Sequence, residues 1–331
     1  MPGLELPEHV KTQQGRIRKV GFELEYAGVD LEKSSEILQG LISGTLDSKD
    51  TFSHTLKSEK FGEFVVEIDA DLLKEGKYKD YLAALGIEVN GLSFENKLDE
   101  VIKDIASTVV PCEIVTPPLP MDNMQIVEDI VKVLRREKAK GASESVLYAF
   151  GLHMNPELAT DKPDYLLNHI KAFTVLYDWI SAESEVDLTR RLTPYIKPYP
   201  AEYIELILAD DYHPDIDNLI DDYMAIVGSR NHALDMLPAF AEIDEEKVMN
   251  EASEAHLVKP RPAFHYRLAN CLIDREDWQV ADEWQYWLRV EELAYDRKTL
   301  DKLSHDYLEY KPDSVLKSAN EWVSHVSGIM G

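Results

Sequence analysis

From residue 17 to residue 26 apolar and polar residues alternate, which predicts a strand with Phe22 and Leu24 on one face and Glu23 and Glu25 on the other. Leu31, Ile37, Leu38, Leu41 and Ile42 follow at helical spacing. Alternation returns over 51–56 and 63–69, two strands expected to pair across a turn at Lys60-Phe61-Gly62. Helical patterns near 74–84 and 93–106 precede a short apolar strand over 109–115, which Thr116-Pro117-Pro118 stops because proline cannot donate to a ladder. Another helix is predicted over 122–138 and another strand over 146–154.

After Pro163 the pattern is helical over several turns, through Tyr165, Leu166, Ile170, Phe173, Leu176, Tyr177 and Ile180. Helices also fit 200–209 and 215–226, so 160–227 is expected to be a helical insertion. A strand is expected over 262–268, and helix from 281 to the end with a break at Lys311-Pro312. Strands interleaved with helices, with hairpin-like pairs, predict an α+β fold on a mainly antiparallel sheet. The expectation is one catalytic domain over 1–331, carrying the insertion and a helical tail at 296–331.

Composition narrows the function classes. Hydrophobic residues are 44% of 331, enough for a substantial core. Acidic residues number 62 against 35 basic, a formal charge of -27. That balance disfavours nucleic acid and anionic membrane surfaces, both of which select a basic face. Cys112 and Cys271 lie far apart with no metal-type spacing, and read as buried thiols of a reducing compartment. The polar start at Met1-Pro2-Gly3 and the absence of a long apolar run lead to the expectation of a cytoplasmic protein.

Four groups of residues carry candidate chemistry. Glu23 and Glu25 project from one strand face, a seat for hard divalent cations, and their like charges repel unless neutralised. Glu113 interrupts an apolar strand and requires either a cation or a basic partner. His153 and Asn155 sit two apart in another apolar strand, read either as hydrogen-bonded structure or as a metal or phosphate contact. Arg230, His232, Lys259, Arg261, His265, Arg267 and Arg275 concentrate cations in an acidic chain, which suits either an anionic ligand or salt bridges to the many carboxylates. Glu67, Asp69 and Asp71 form a further acidic patch at a strand end, where Asp69 could hold an incoming amine. No glycine-rich phosphate loop and no Gly-x-Ser-x-Gly motif is present.

In their order these pieces resemble the amidoligase family, which belongs to the carboxylate–amine ligase superfamily of glutamine synthetase and γ-glutamylcysteine synthetase. The matching blocks are Gly21-Phe22-Glu23-Leu24-Glu25, Glu113-Ile114-Val115-Thr116-Pro117-Pro118-Leu119 and Gly151-Leu152-His153-Met154-Asn155. Arg230-Asn231 with Leu234-Asp235-Met236-Leu237-Pro238, and Arg261 through Arg267, complete the resemblance over about 16–295. It implies a curved antiparallel sheet with helices on its outer side, and an ATP-dependent ligase acting through an acyl phosphate on small-molecule or peptide carboxylates and amines. It further implies Mg²⁺ or Mn²⁺ on Glu23, Glu25 and Glu113, with His153 beside the metal. Arg230, Arg261 and Arg267 would then take phosphates, with Asn155 and His265 near the nucleotide. Two positions depart from the pattern: His265 stands where a glutamate commonly precedes the late arginine, and Asn155 where many relatives have a second histidine. The competing expectation is a nucleotide- or metal-binding scaffold that keeps the fold without turnover.

Overall fold

The computed structural model describes residues 3–68, 111–142, 150–186, 196–310 and 315–330. The helices expected near 74–84 and 93–106, and residues 146–149 of the strand expected over 146–154, lie outside them. The described residues contain ten α-helices and an open sheet whose named strand pairs are all antiparallel, so the α+β expectation holds. No helix among them is long and apolar enough to cross a membrane. The chain divides into two compact units. A carboxylate unit comprises Gly21–His153 and Asn270–Val280, and a helical unit comprises Met1–Val20, Met154–Ala269 and Ala281–Gly331.

In the carboxylate unit, β1 (Lys19–Tyr26) contributes its residues from Gly21 onward, and the other strands are β2 (Thr45–Lys49), β3 (Ser53–Ser58), β4 (Gly62–Ile68), β5 (Cys112–Val115), β6 (Leu119–Pro120) and the start of β7 (Leu152–Pro156). The first five lie in the order β2-β3-β4-β5-β1. Helix α1 (Leu31–Ile42) packs on β3 and β4 and against α2 (Gln125–Arg136). Asp30 caps α1, its side chain accepting from Lys33 N–H. The sheet face beneath the helices is the apolar half of the alternation, with Leu24, Leu56, Phe64, Val66 and Ile114 buried. The hairpin turn before β4 ends at Gly62, whose φ of 105° suits glycine alone. Strand β2 escaped sequence reading because it is an edge strand exposed at all five positions, so burial imprints no alternation on it.

In the helical unit, the end of β7 pairs with β9 (His265–Tyr266), which pairs with β8 (Leu234–Asp235). The strand expected over 262–268 is thus shorter: Pro262 has no N–H to donate, and Ala263 N–H turns back on Arg261 O at 2.8 Å. Helix α3 (Pro163–Glu183) begins on a proline and is buried on most sides, as its near-continuous apolar sequence requires. Helices α4 (Ala201–Leu208), α5 (Ile216–Ile226), α9 (Arg297–Glu309) and α10 (Val315–Met330) pack around it. Trp322 fastens α10 by donating its indole N–H to Val175 O at 2.9 Å. Two short helices, α6 (Leu237–Ile243) and α7 (Glu245–Glu251), were not anticipated, since seven residues hold too few turns to show a period. Helix α8 (Val280–Tyr295) stops at Asp296, which caps α9 through Thr299.

The centre of the helical unit holds a buried ionic and aromatic cluster. His169 stacks on Phe264 at 5.0 Å and donates Nδ1–H to Tyr165 O at 2.7 Å. Burial lowers its pKa to about 4, although the nearby Glu291 carboxylate acts the other way. An unfolded histidine titrates near 6.5, so between that pH and about 4 the unfolded chain takes a proton that the native chain refuses. Stability is therefore expected to fall by about 3 kcal/mol as pH drops through that window. His169→Gln should flatten the slope in denaturant titrations; parallel curves for the two proteins would refute this account.

Candidate metal centre

The register of three antiparallel strands builds the site of the carboxylate unit. Glu25 of β1 stands directly opposite Glu113 of β5, and Glu113 directly opposite Glu67 of β4. The adjacent row, Leu24, Ile114 and Val66, is buried on the other face. Three carboxylates thus form a line across the sheet, each half-buried. Like charges directly opposite in an antiparallel pair are destabilising, and partial burial strengthens the repulsion unless a cation lies between them.

His153, at the start of β7, closes the group. Its Nδ1 lies 2.9 Å from Glu23 Oε2 and its Nε2 3.5 Å from Glu25 Oε1. One ligand atom each from Glu25, Glu113 and His153 fall within 4.8 Å of one another. Glu25 is fixed in place, because its Oε2 accepts Gly151 N–H at 2.7 Å while Gly151 O accepts Glu25 N–H at 3.1 Å. Two carboxylates and one imidazole offer oxygen donors with a single nitrogen. That set fits a hard or borderline divalent ion such as Mg²⁺ or Mn²⁺. With Glu23 holding Nδ1, the imidazole keeps Nε2 toward Glu25, the outer-shell arrangement that fixes a ligating histidine. Of the residues expected to ligate, the structure therefore brings Glu25, Glu113 and His153 to one point, with Glu23 on the far nitrogen of His153. Glu67 extends this row, whereas the sequence showed it only as part of an acidic strand end. Asp69 and Asp71 lie outside the described residues.

The helical unit orders its own cations. Arg267 is buried and donates Nη1–H to Arg230 O at 2.8 Å. Arg261 donates Nη2–H to Asn155 Oδ1 at 2.8 Å and Nη1–H to Lys259 O at 3.4 Å, so the Asn155 amide oxygen serves an arginine. His232 is held by Pro198 O at 3.2 Å, and burial lowers its pKa. His265 is buried and faces Asp235 at 3.4 Å. In the carboxylate unit Arg275 instead pairs with Asp277 at 2.9 Å, a surface ion pair.

Cys112 and Cys271 are free and buried, as expected. Burial, with Asp30 nearby, pushes the Cys112 thiol up to about 12, which makes it inert as a nucleophile. A cavity of about 520 Å³ in the helical unit, lined by His9, Lys11, Thr12, Gln13, Thr160 and Tyr295 among others, contains none of the candidate residues.

Searches of curated proteins and of solved structures returned no match. One family model, described as "Putative amidoligase enzyme", matches residues 16–289 and so spans the carboxylate row, His153 and the arginines. On a match over most of its length, the chain belongs to this amidoligase family.

Proposed function

We propose that the protein is an ATP-dependent carboxylate–amine ligase built on a glutamine synthetase-like sheet. The observation that carries this reading is the cross-strand alignment of Glu25 and Glu113 with His153 in a member of an amidoligase family. A divalent ion held by these three groups would neutralise phosphate charge, which is where such an ion assists phosphoryl transfer.

Amide formation from a free carboxylate requires activation, because carboxylate is a poor electrophile. A carboxylate oxygen of the acid attacks the γ-phosphorus of ATP, the bond to the bridging oxygen breaks, and ADP leaves. The amine nitrogen then attacks the acyl carbon, loses a proton, and expels inorganic phosphate. Phosphoryl transfer of this kind is mostly positioning and charge neutralisation. Arg230, Arg261 and Arg267 are assigned to the anionic reactants, with Asn155 orienting Arg261 and Asp69 receiving the amine proton. The guanidinium of Arg230 makes no hydrogen bond or ion pair among the described residues, which suits a group reserved for a ligand.

The test is thermal melting with ATP and Mg²⁺ or Mn²⁺, followed by phosphate release across panels of acids and amines. A ligand present at about a hundredfold its Kd stabilises by about 2.7 kcal/mol. A metal-dependent upward shift with acceptor-dependent phosphate release supports the ligase. Binding without release supports the nucleotide-binding scaffold, the reading that His265 in place of glutamate favours. No shift with either ion, in well-folded protein, sinks the ligase reading and leaves the inert scaffold ahead. Glu23→Gln should cut turnover while changing stability little, because glutamine keeps an oxygen to accept from His153; an unfolded variant would make Glu23 a structural residue instead.

A further inference from the structure

The cavity of about 520 Å³ in the helical unit has no part in the chemistry proposed above. Its walls come from residues 8–13, from the segment 159–162 that leads into α3, and from Tyr295 at the end of α8. That volume lies within the range of small-molecule sites. One wall is held rigid by backbone bonds. Thr12 N–H donates to Arg16 O at 2.9 Å, Gly15 N–H to Thr12 O at 2.8 Å, and Gln13 N–H to Ala159 O at 2.8 Å. A second wall is aromatic: His9 lies on Tyr295 with ring centroids 3.6 Å apart, and Tyr295 is 40% exposed.

The lining is rich in donors that nothing in the protein uses. Lys11 and Lys162 both line the cavity, and neither ammonium makes a hydrogen bond or ion pair among the described residues. With 62 acidic residues against 35 basic ones, a lysine in this chain has carboxylates to choose from, so two unpaired lysines at one cavity need a reason. The Gln13 amide oxygen accepts Thr160 Oγ1–H at 3.0 Å, which leaves the Gln13 amide N–H groups without an acceptor among the described residues. Thr12 is 6% exposed, yet its hydroxyl has no hydrogen-bond partner among the described residues. Buried hydroxyls are ordinarily bonded, and leaving one unbonded is costly. Glu8 is the one carboxylate among the described lining residues.

Two ammonium groups, an amide and an orphaned hydroxyl all call for a ligand that accepts hydrogen bonds and carries negative charge. We propose that this cavity binds a phosphate group, free or carried by a small organic molecule, with Lys11 and Lys162 against its charge and Thr12 donating its hydroxyl to one of its oxygens. A phosphate offers more acceptor oxygens than a carboxylate, and so serves more of these donors. The aromatic wall suits a planar organic body attached to it. Binding would tie residues 8–13 to the entry of α3 and so stabilise the helical unit. The inference stands apart from the ligase reading, because none of the residues assigned to that chemistry lines the cavity.

The experiment titrates sodium phosphate, and in parallel adenosine monophosphate, into the full ¹⁵N-labelled chain without divalent ion, at an ionic strength matched with sodium chloride. The backbone amide signals of Thr12, Gln13 and Thr160 should shift saturably with a phosphate source and not with chloride. Tighter binding of the nucleotide assigns the aromatic wall to an organic body; equal binding assigns the site to the phosphate group alone. Lys11→Gln combined with Lys162→Gln should weaken binding by about tenfold or more. Thr12→Val should weaken it by about 3–10-fold. Its melting temperature without ligand should hold or rise, since valine removes a hydroxyl that has no partner there. Phosphate taken up instead by Arg230, Arg261 and Arg267 would leave the three amides unmoved and overturn the proposal. Shifts reproduced by chloride, or unchanged affinity in either variant, would overturn it as well. Because the measurement needs neither ATP, metal nor acceptor, a failure of the ligase reading would appear separately, as absent phosphate release.

Discussion

Glu25→Gln is expected to reduce phosphate release by about 10²–10³-fold, the equivalent of a few kcal/mol of lost charge stabilisation at the phosphates. The substitution is conservative in shape. Its oxygen can still accept Gly151 N–H, the bond that fixes Glu25 against β7. It removes one of two like charges that stand directly opposite across β1 and β5, so the melting temperature should hold or rise. Steady-state phosphate release, Mn²⁺ titration and melting on the same preparation check it together. Full activity would exclude Glu25 as a ligand. A large loss of stability would show that the carboxylate serves the fold. Glu113→Gln should behave alike, because the two face each other across one strand pair.

Arg18→Ala carries the largest expected effect on stability, a loss of about 3–5 kcal/mol. Arg18 is fully buried and bonds Glu291 through two parallel contacts of 2.8 and 2.7 Å. It also donates to Glu157 O and His9 O, and Trp287 adds an indole N–H to Glu291 at 2.7 Å. Removing the arginine leaves a buried carboxylate without its counter-charge. Burial by itself pushes the Glu291 pKa up; Arg18 outweighs it and holds the carboxyl below the usual value. The pair's contribution is therefore present above the unfolded carboxyl pKa, near 4.3, and is lost as pH falls through the lower folded value. In Arg18→Ala the sign reverses: the unopposed burial raises the Glu291 pKa, and the variant should recover part of its deficit on mild acidification. The double substitution Arg18→Met with Glu291→Leu should lie much closer to wild type than either single change, since it leaves no buried charge. Denaturant melts at two pH values separate these outcomes. Equal stability of Arg18→Ala and wild type would refute the account.

The helix and strand content followed from local pattern where burial is one-sided. Strand β1 and helices α1 and α2 announce themselves because their apolar residues recur with the period of the element, whereas the long helix α3, buried on most sides, is legible from the length of its apolar stretch. The pattern failed where burial leaves no period: the wholly exposed edge strand β2, the seven-residue helices, and β9, which is only two residues long.

By itself, the sequence determined which residue types alternate, and so placed Glu23 and Glu25 on the face opposite Phe22 and Leu24. It also carried the ordered blocks that mark the family. Side-chain direction along one strand is a local property with period two, and it needs no partner. The tertiary structure decided which distant residues meet. Register between β1, β5 and β4 put Glu25, Glu113 and Glu67 in one line, and a slip of one residue would have turned Glu113 into the core. Pairing of β8 with β9 set Asp235 opposite His265. Packing of α8 against the start of the chain joined Arg18 to Glu291 across 273 positions of sequence. Each of these depends on contacts between separate segments, fixed by the burial of whole elements, and no periodicity within a segment encodes its partner.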